Sequence, residues 1–303
     1  MITEAVRRSA AKSLAPALFA LCLLLPGGQA LAVQGFGITP PSQEITVTPG
    51  SSTTGQLTVL NDGDDSVNYR IYATNYGVTG EQYQGVFTNA GKGPDISPLS
   101  WFTLPKGTLT VKAGQHSTFN YSISTPKEAT VGGHYASVFV ETIPPSNSQS
   151  AQIQRITRVG SLFYLTVSGA LVQHGSLLPL QVPLLQSTSP ITADLRLSNS
   201  GNVHFMVTAS ASLSTPFGKV GNPLDFRGEV LPDTTRRFSI SLPVKSPIGL
   251  YKVTVNVNYL GRNVVQSHWM LLVPVITFAI VSGTILLLLV LGLWMIVRKA
   301  RRR

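Results

Sequence analysis

The chain has 303 residues and a formal net charge of +10, from 23 Lys and Arg against 13 Asp and Glu. Three basic residues lie near the N-terminus and five form the C-terminal tail, so the long segment between them is close to neutral. The positive charge therefore predicts membrane topology and gives no case for nucleic-acid binding. The single cysteine, Cys22, lies in the first apolar run, and the remaining chain has no thiol for a disulfide, a nucleophile or a metal ligand.

Residues 1–32 have the pattern of a secretory signal peptide. Basic residues precede an apolar run from Leu14 to Leu25, and Ala30-Leu31-Ala32 supplies the small residues that a signal peptidase accepts. The alternative is an N-terminal membrane anchor, but the run is shorter than the roughly 20 residues that span a bilayer. The exported chain then begins at Val33.

Short alternating segments follow, separated by Gly, Pro, Asn and Asp. Residues 42–50, 54–60 and 67–73 place apolar side chains at every second position, which is typical of strands in an antiparallel sandwich. Residues 61–65, Asn-Asp-Gly-Asp-Asp, could bind calcium, but they lack the length and distal Glu of an EF-hand loop. We therefore expect a hairpin turn there.

Residues 75–100 break the alternation and are rich in glycine. The segment carries Tyr76, Tyr83 and Phe87, and we expect it to be an insertion in the first domain that contacts a partner through these three rings. The alternative is that the rings cap the open end of the sandwich. Trp101, which follows the segment, is expected in the core.

A second copy of one pattern indicates two tandem domains. In both copies a strand ends at a proline, and the next strand opens with Gly-x-Tyr; the matched pairs are Tyr121 and Phe238, Pro126 and Pro243, Gly133 and Gly249, Tyr135 and Tyr251. Residues 55–63 likewise resemble residues 193–201. We predict an all-β chain of two tandem immunoglobulin-like antiparallel sandwiches, residues 33–172 and 173–269, followed by one transmembrane helix. Residues 144–152 could be a linker, but a surface loop of the first domain is the preferred interpretation.

Residues 270–297 are predicted to form that helix. The uncharged stretch exceeds the roughly 20 residues needed to span a bilayer, and the basic tail, residues 298–303, is expected in the cytoplasm. Trp269 and Trp294 are expected near the two membrane interfaces. The protein would then be a single-pass membrane protein with its domains outside the cell.

No pattern predicts catalysis, a metal or a cofactor. The five histidines are scattered without a metal-ligand spacing, and neither a nucleophile elbow nor a phosphate-binding loop is present. We expect a protein that is not an enzyme.

The order of these features resembles the WxL-interacting surface proteins of Gram-positive bacteria. The resemblance rests on Ile38-Thr-Pro-Pro-Ser with the Pro49-Gly50 turn, on Leu60-Asn61, on Trp101 and on the Gly133-His-Tyr135 strand. It implies a first domain that binds peptidoglycan, a second that binds a partner protein, a membrane helix and a basic tail. More remotely, the Pro-rich first strand resembles periplasmic pilus chaperones.

Two functions therefore stay open. The first is a membrane-anchored binding protein of the cell envelope that engages the cell wall, another surface protein or both. The second is a chaperone-like assembly factor for surface proteins or pili that acts by strand addition.

Overall fold

The computed structural model describes residues 35–89, 97–144, 156–246 and 248–301. The signal-peptide prediction falls outside these residues. Within them the chain is mostly β-strand with one apolar helix at its C-terminal end, so the prediction of an all-β fold is confirmed. The strands form two pairs of sheets, and the change from the first pair to the second occurs between Val167 and Gly175.

The described residues of the first domain form ten strands. They are β1 (Phe36–Thr39), β2 (Ser42–Val47), β3 (Ser52–Asn61), β4 (Val67–Thr79), β5 (Gln84–Thr88), β6 (Phe102–Thr103), β7 (Thr108–Val111), β8 (His116–Ser124), β9 (Gly132–Thr142) and β10 (Arg158–Val167). One sheet has the order β1-β3-β8-β6, and the other has the order β2-β10-β9-β4-β5 with β7 also paired to β4. A short 3-10 turn, Pro98–Trp101, lies just before β6.

In the part of the second domain that the structure describes there are eight strands. They are β11 (Gly175–Leu177), β12 (Leu185–Gln186), β13 (Ile191–Asn199), β14 (Phe205–Thr215), β15 (Gly218–Val230), β16 (Thr234–Leu242), β17 (Gly249–Tyr259) and β18 (Arg262–Leu272). Its sheets have the orders β11-β13-β16 and β12-β18-β17-β14-β15.

The sandwiches are not purely antiparallel, which corrects the prediction. β2 pairs with β10 in parallel, and β12 pairs with β18 in parallel. In each domain the first part of the chain begins in one sheet and crosses to the other. Pro40 and Pro41 separate β1 from β2, and since proline has no N–H to continue a ladder, the crossing falls at these residues.

The duplicated pattern occupies equivalent places in the two domains. β8 and β16 precede Pro126 and Pro243, and both lie beside the matching strand, β3 or β13. The Gly-x-Tyr motif has a steric cause, because residues i and i+2 share one face of a strand. A Cβ atom at Gly133 would lie 2.0 Å from the hydroxyl of Tyr135, and one at Gly249 would lie 3.0 Å from the ring of Tyr251. In both domains the tyrosine ring lies over the glycine.

One buried asparagine organises the same turn in each domain. The amide nitrogen of Asn61 donates to the carbonyls of Asp65 and Val111, at 2.8 and 3.0 Å, and its side-chain oxygen accepts from the N–H of Gly63. Asn199 makes the equivalent three bonds, to Val203, Val230 and Gly201. The predicted turn is therefore present, but it is not a hairpin, because β3 and β4 belong to different sheets.

Each sandwich has its own apolar core. The largest fully buried side chains of the first core include Trp101, Tyr69 and Phe163, and Trp101 is 1% exposed. The prediction that Trp101 belongs to the core is confirmed.

The described residues 75–88 are more regular than the sequence suggests, and this corrects the prediction of an insertion without a counterpart. β4 runs on to Thr79 and forms a hairpin with β5. The second domain has the corresponding hairpin of β14 and β15. The two domains differ afterwards, where the first domain adds the 3-10 turn and β6 before it reaches β7.

The C-terminal helix, α1, spans Val275–Ala300. It has 26 residues, a mean hydropathy of 2.6 in its most apolar part and no buried residue there, so its length and composition suffice to cross a membrane. The predicted start at residue 270 was too early. Met270 and Leu272 are buried in the second core as part of β18, and the helix begins after Pro274.

Candidate functional site: the domain junction and an open sheet edge

The turn between β4 and β5 joins the two domains. The carboxylate of Glu81 in this turn accepts hydrogen bonds from the guanidinium groups of Arg196 on β13 and Arg237 on β16. These bonds hold the pKa of Glu81 below its usual range and raise that of Arg196. The backbone is joined as well, since the N–H of Arg237 donates to the carbonyl of Glu81 at 2.8 Å.

Tyr83 lies in the same turn, and both its hydroxyl and its ring contact residues of the second domain. Its hydroxyl accepts from the N–H of Leu231 at 2.7 Å and also bonds the hydroxyl of Thr234, and the guanidinium of Arg236 lies 4.6 Å from the ring centroid. Burial raises the pKa of the Tyr83 hydroxyl. This ring was predicted to contact a partner, but the structure places it between the two domains.

Tyr76 and Phe87 lie apart from that contact. Their rings stack at 5.5 Å on the β4–β5 hairpin, and Phe87 also packs edge-on against Phe139 at 4.9 Å. Tyr76 is half-buried beside Tyr164, whereas Phe87 is 37% exposed. The three rings therefore do not form one surface, and a partner contact remains a prediction for Phe87.

The start of β9 makes a second contact between the domains. The N–H of Gly133 donates to the carbonyl of Asn202 at 2.8 Å, and the side-chain nitrogen of Asn202 donates to the carbonyl of Val131 at 3.3 Å. The hydroxyl of Tyr135 accepts from the backbone N–H of His204 at 3.1 Å and lies 3.2 Å from Nδ1 of the same histidine. Burial raises the pKa of Tyr135 and lowers that of His204.

Two carboxylates meet beside this histidine. Among the described residues, Glu44, His204 and Glu229 are the one group of potential metal ligands, and their ligand atoms lie within 4.8 Å of one another. Glu229 is 7% exposed, and burial, with a further contribution from Glu44, raises its pKa to about 7. Below about pH 7 Glu229 therefore holds a proton, and it can lie beside Glu44 without repulsion between two negative charges.

This raised pKa predicts a pH dependence of stability. The folded state holds a proton on Glu229 up to about pH 7, whereas the unfolded chain releases it near pH 4.5. Stability from this group is thus full below pH 4.5 and is lost as the pH rises to 7, a change of about 2 kcal/mol after allowance for solvent screening.

Comparison of the protein with its Glu229→Gln variant isolates the contribution of Glu229 to the pH dependence of stability. Glu44, His204, Arg227 and Arg236 remain in both proteins, so the two differ only in the carboxyl group of Glu229. The difference in free energy of unfolding, from urea titrations, should be near zero at pH 4.5 and should favour the variant at pH 7.5. A difference that stays constant with pH contradicts the account.

The second feature of interest is the outer edge of β8. Asn61 donates its N–H to the carbonyl of Gln115, and Thr125 donates to that of Ser51, so the odd-numbered residues of β8 bond to β3. The even-numbered residues point their N–H and C=O groups the other way. β6 covers only Ile123 and Ser122, and no other described strand pairs with this side of β8. The outward groups of His116, Thr118 and Asn120 are therefore open.

The same edge in the second domain is partly covered. The repeat aligns Tyr121 with Phe238, and it therefore aligns Asn120 with Arg237. The outward N–H of Arg237 on β16 is the group that donates to the carbonyl of Glu81. Within the described residues, the chain thus meets one of its two equivalent edges with a backbone carbonyl of its own and leaves the other edge open.

A groove of about 690 Å³ borders the open edge. Its lining comes from β3, from the segment after β6 and from β8: Thr54, Gly55, Gln56, Thr103, Leu104, Pro105, Asn120, Tyr121 and Ser122. Gly55 forms part of the floor because the Tyr121 ring lies across it; a Cβ atom there would be 2.2 Å from the Tyr121 hydroxyl. That hydroxyl donates to Gln43 at 2.8 Å, which fixes the ring.

The other long edge is protected against pairing. β15 has 13 residues at the end of its sheet, and most of its side chains are exposed. However, Pro223 removes one N–H, and Lys219, Asp225 and Arg227 place charges along the strand. Charges and proline are the features that prevent strand addition at natural edges. β8 has neither proline nor lysine, and its exposed side chains are small or uncharged.

Neither part of this site was predicted from the sequence. Glu81, Arg196 and Arg237 are far apart in sequence and have the appearance of solvated charges, so only the fold brings them together. The repeat aligns Asn120 with Arg237 in the sequence. This alignment predicts nothing about the edge of β8 until the contact of Arg237 with Glu81 is known.

Comparisons with known proteins give structural similarity alone. No family model and no curated protein matches the chain. Among solved structures, a chain of the chaperone–tip adhesin complex of CFA/I fimbriae has 13% identity and a TM-score of 0.40, and it aligns over 79% of this chain and 99% of its own. The class 5 fimbriae chaperone CfaA has 15% identity and a TM-score of 0.38, over 80% and 100%.

A third similar structure is a chain of the chaperone–tip adhesion subunit pre-assembly complex from the archaic chaperone-usher Csu pili of Acinetobacter baumannii. It has 12% identity and a TM-score of 0.38, over 77% of this chain and 97% of its own. Because all these scores are below 0.5, the function proposed below rests on the geometry of this chain.

Proposed function

We propose that this chain is an exported, membrane-anchored protein of the bacterial envelope that holds an extended segment of another envelope protein by strand addition to β8. The observation that carries the proposal is the row of open backbone groups at His116, Thr118 and Asn120. An incoming strand would satisfy these groups, and the adjoining groove would take its side chains.

The contact between Arg237 and Glu81 supports this mode of binding. At the equivalent place in the second domain, an extended segment already presents a carbonyl to the outward N–H. A strand added to β8 would make the same bond at Asn120 and would repeat it at alternate residues.

Anchoring is supported by the apolar helix and by the basic residues that follow it. α1 is long enough for one span, and the basic residues Arg298 and Lys299 in its last turn support a cytoplasmic position for that end by the positive-inside rule. With the predicted signal peptide, both domains would then lie outside the cell. Binding to peptidoglycan and membership of the WxL-interacting family remain predictions, as does the absence of enzymatic activity.

Replacing Thr118 by proline tests strand addition. The N–H of Thr118 points away from β3, so proline at this position removes an outward donor without removing a bond of the β3–β8 ladder. We expect Thr118→Pro to fold and to lose at least ten-fold of its co-purification with envelope proteins, because the added strand loses a backbone bond and meets the proline ring.

Ser241→Pro is the matched control, since Ser241 lies on the equivalent edge of the second domain and also points outward. It should fold and retain the partner. Equal retention by the two variants would show that the partner binds elsewhere.

A further inference from the structure

One end of the second domain carries a cluster of exposed apolar side chains. β18 ends at Leu272, and α1 begins at Val275. Leu271, one residue from the end of β18, pairs with Leu250 on β17 and with Leu185 on β12, so these three leucines form a continuous row across three strands. They are 42%, 46% and 54% exposed, respectively.

The hairpin between β14 and β15 reaches the same end. Ser214 on β14 pairs with Lys252 on β17, which in turn pairs with Trp269 on β18. The tip of that hairpin is Phe217, whose side chain is 98% exposed. A fully exposed phenylalanine at a turn has no role in the core of its own domain, and so many exposed apolar groups together indicate an interaction surface.

The charges of this end complete the pattern. Lys252 lies over the ring of Trp269, with its Nζ atom 5.9 Å from the centroid, and Lys219 lies opposite Ser214 beside the hairpin tip. The carboxylates of the same sheet are farther along their strands, where Asp225 lies opposite Ser210 and Glu229 opposite Met206. Aromatic rings and lysines around an apolar patch are the composition of surfaces that bind at the interface of a bilayer.

We infer that this end of the second domain lies in the interface of the membrane that anchors the chain, with Phe217 and the leucine row among the lipid headgroups and upper acyl chains. The inference rests on the proposed anchoring by α1. Because only two residues, Val273 and Pro274, separate β18 from the helix, the bilayer is the surface that this end of the domain must face. The second domain is then held in one orientation relative to the membrane.

Tryptophan fluorescence of the full chain in vesicles of brominated phosphatidylglycerol tests both ideas separately. The span reporter is Trp269→Phe, which keeps Trp294 in α1. The tip reporter is Phe217→Trp with Trp269→Phe and Trp294→Phe, and the matched control is Met206→Trp in the same background, at the opposite end of β14. Trp101 is buried in the first domain and gives a constant signal that is measured in the background variant alone.

We expect bromine to quench the span reporter and the tip reporter and to leave the Met206→Trp control unchanged. A quenched span reporter with an unquenched tip overturns the inference and leaves the anchoring in place. An unquenched span reporter overturns the anchoring and the inference with it. Equal quenching of the tip reporter and the control overturns the proposed orientation of the domain.

Discussion

Asn61→Ala should destabilise the first domain by about 3 kcal/mol. The substitution removes two donated bonds and one accepted bond in a place that is 0% exposed, and it leaves the carbonyls of Asp65 and Val111 without their partner. A buried polar group that loses its partner costs about 1–3 kcal/mol, and the turn that leads from one sheet to the other loses its central contact as well.

Urea unfolding followed by the fluorescence of Trp101 measures this change, in a background with Trp269 and Trp294 replaced by phenylalanine. Asn199→Ala removes the equivalent bonds of the second domain and should leave the Trp101 transition nearly unchanged. Asn263→Ala is the control for an exposed asparagine and should alter stability by less than about 0.5 kcal/mol. If Asn61→Ala behaves like Asn263→Ala, the buried amide does not organise the fold.

Gly132→Ala should open the domain junction at a cost of about 3 kcal/mol or more. Gly132 has φ +130°, and a Cβ atom there would lie 2.4 Å from the backbone carbonyl oxygen of Asn202. That oxygen accepts a hydrogen bond from the N–H of Gly133, so the segments around Gly132 and Asn202 must move apart, and the bond between the domains is lost.

Gly107→Ala separates the clash from the backbone strain. Gly107 also has a positive φ, +96°, but a Cβ atom there would meet nothing within 4 Å. It should therefore cost only the strain of an alanine in that conformation, about 1–2 kcal/mol. Small-angle scattering should show a larger radius of gyration for Gly132→Ala alone. Equal radii and equal stabilities for the two variants would mean that this contact does not hold the domains together.

The repeat was the part of the fold that sequence could predict best. The positions that its two copies share have local causes: a glycine that accommodates the tyrosine two residues later, and a proline that follows the end of a strand. The side-chain alternation of β3 and β13 also matches their buried faces, and the asparagine at the end of each strand turns the chain toward the other sheet.

The extent of β4 and β18 could not be predicted in the same way. Half-buried tyrosines and Gly77 interrupt the alternation of β4, so its second half does not have the appearance of a strand. In β18 the exposed residues Trp269 and Leu271 are as apolar as the buried Met270 and Leu272, and the strand therefore merges with the apolar helix in the sequence.

The candidate site depended on distant contacts. Residues 75–100 were predicted to be an insertion whose three aromatic rings act together on a partner. The structure instead uses Tyr83 and Glu81 to join the domains. No local pattern distinguishes a glutamate that binds two arginines of another domain from one that is solvated.

Amide hydrogen exchange at the edge of β8 tests the central claim most directly. In the purified full chain, the amides of His116, Thr118 and Asn120 should exchange rapidly, while those of Ser117 and Phe119 are protected by β3. In the complex recovered from envelopes, the three outward amides should become protected together, because an added strand accepts their hydrogen bonds. A complex in which these three amides exchange as rapidly as in the free chain would contradict strand addition at β8.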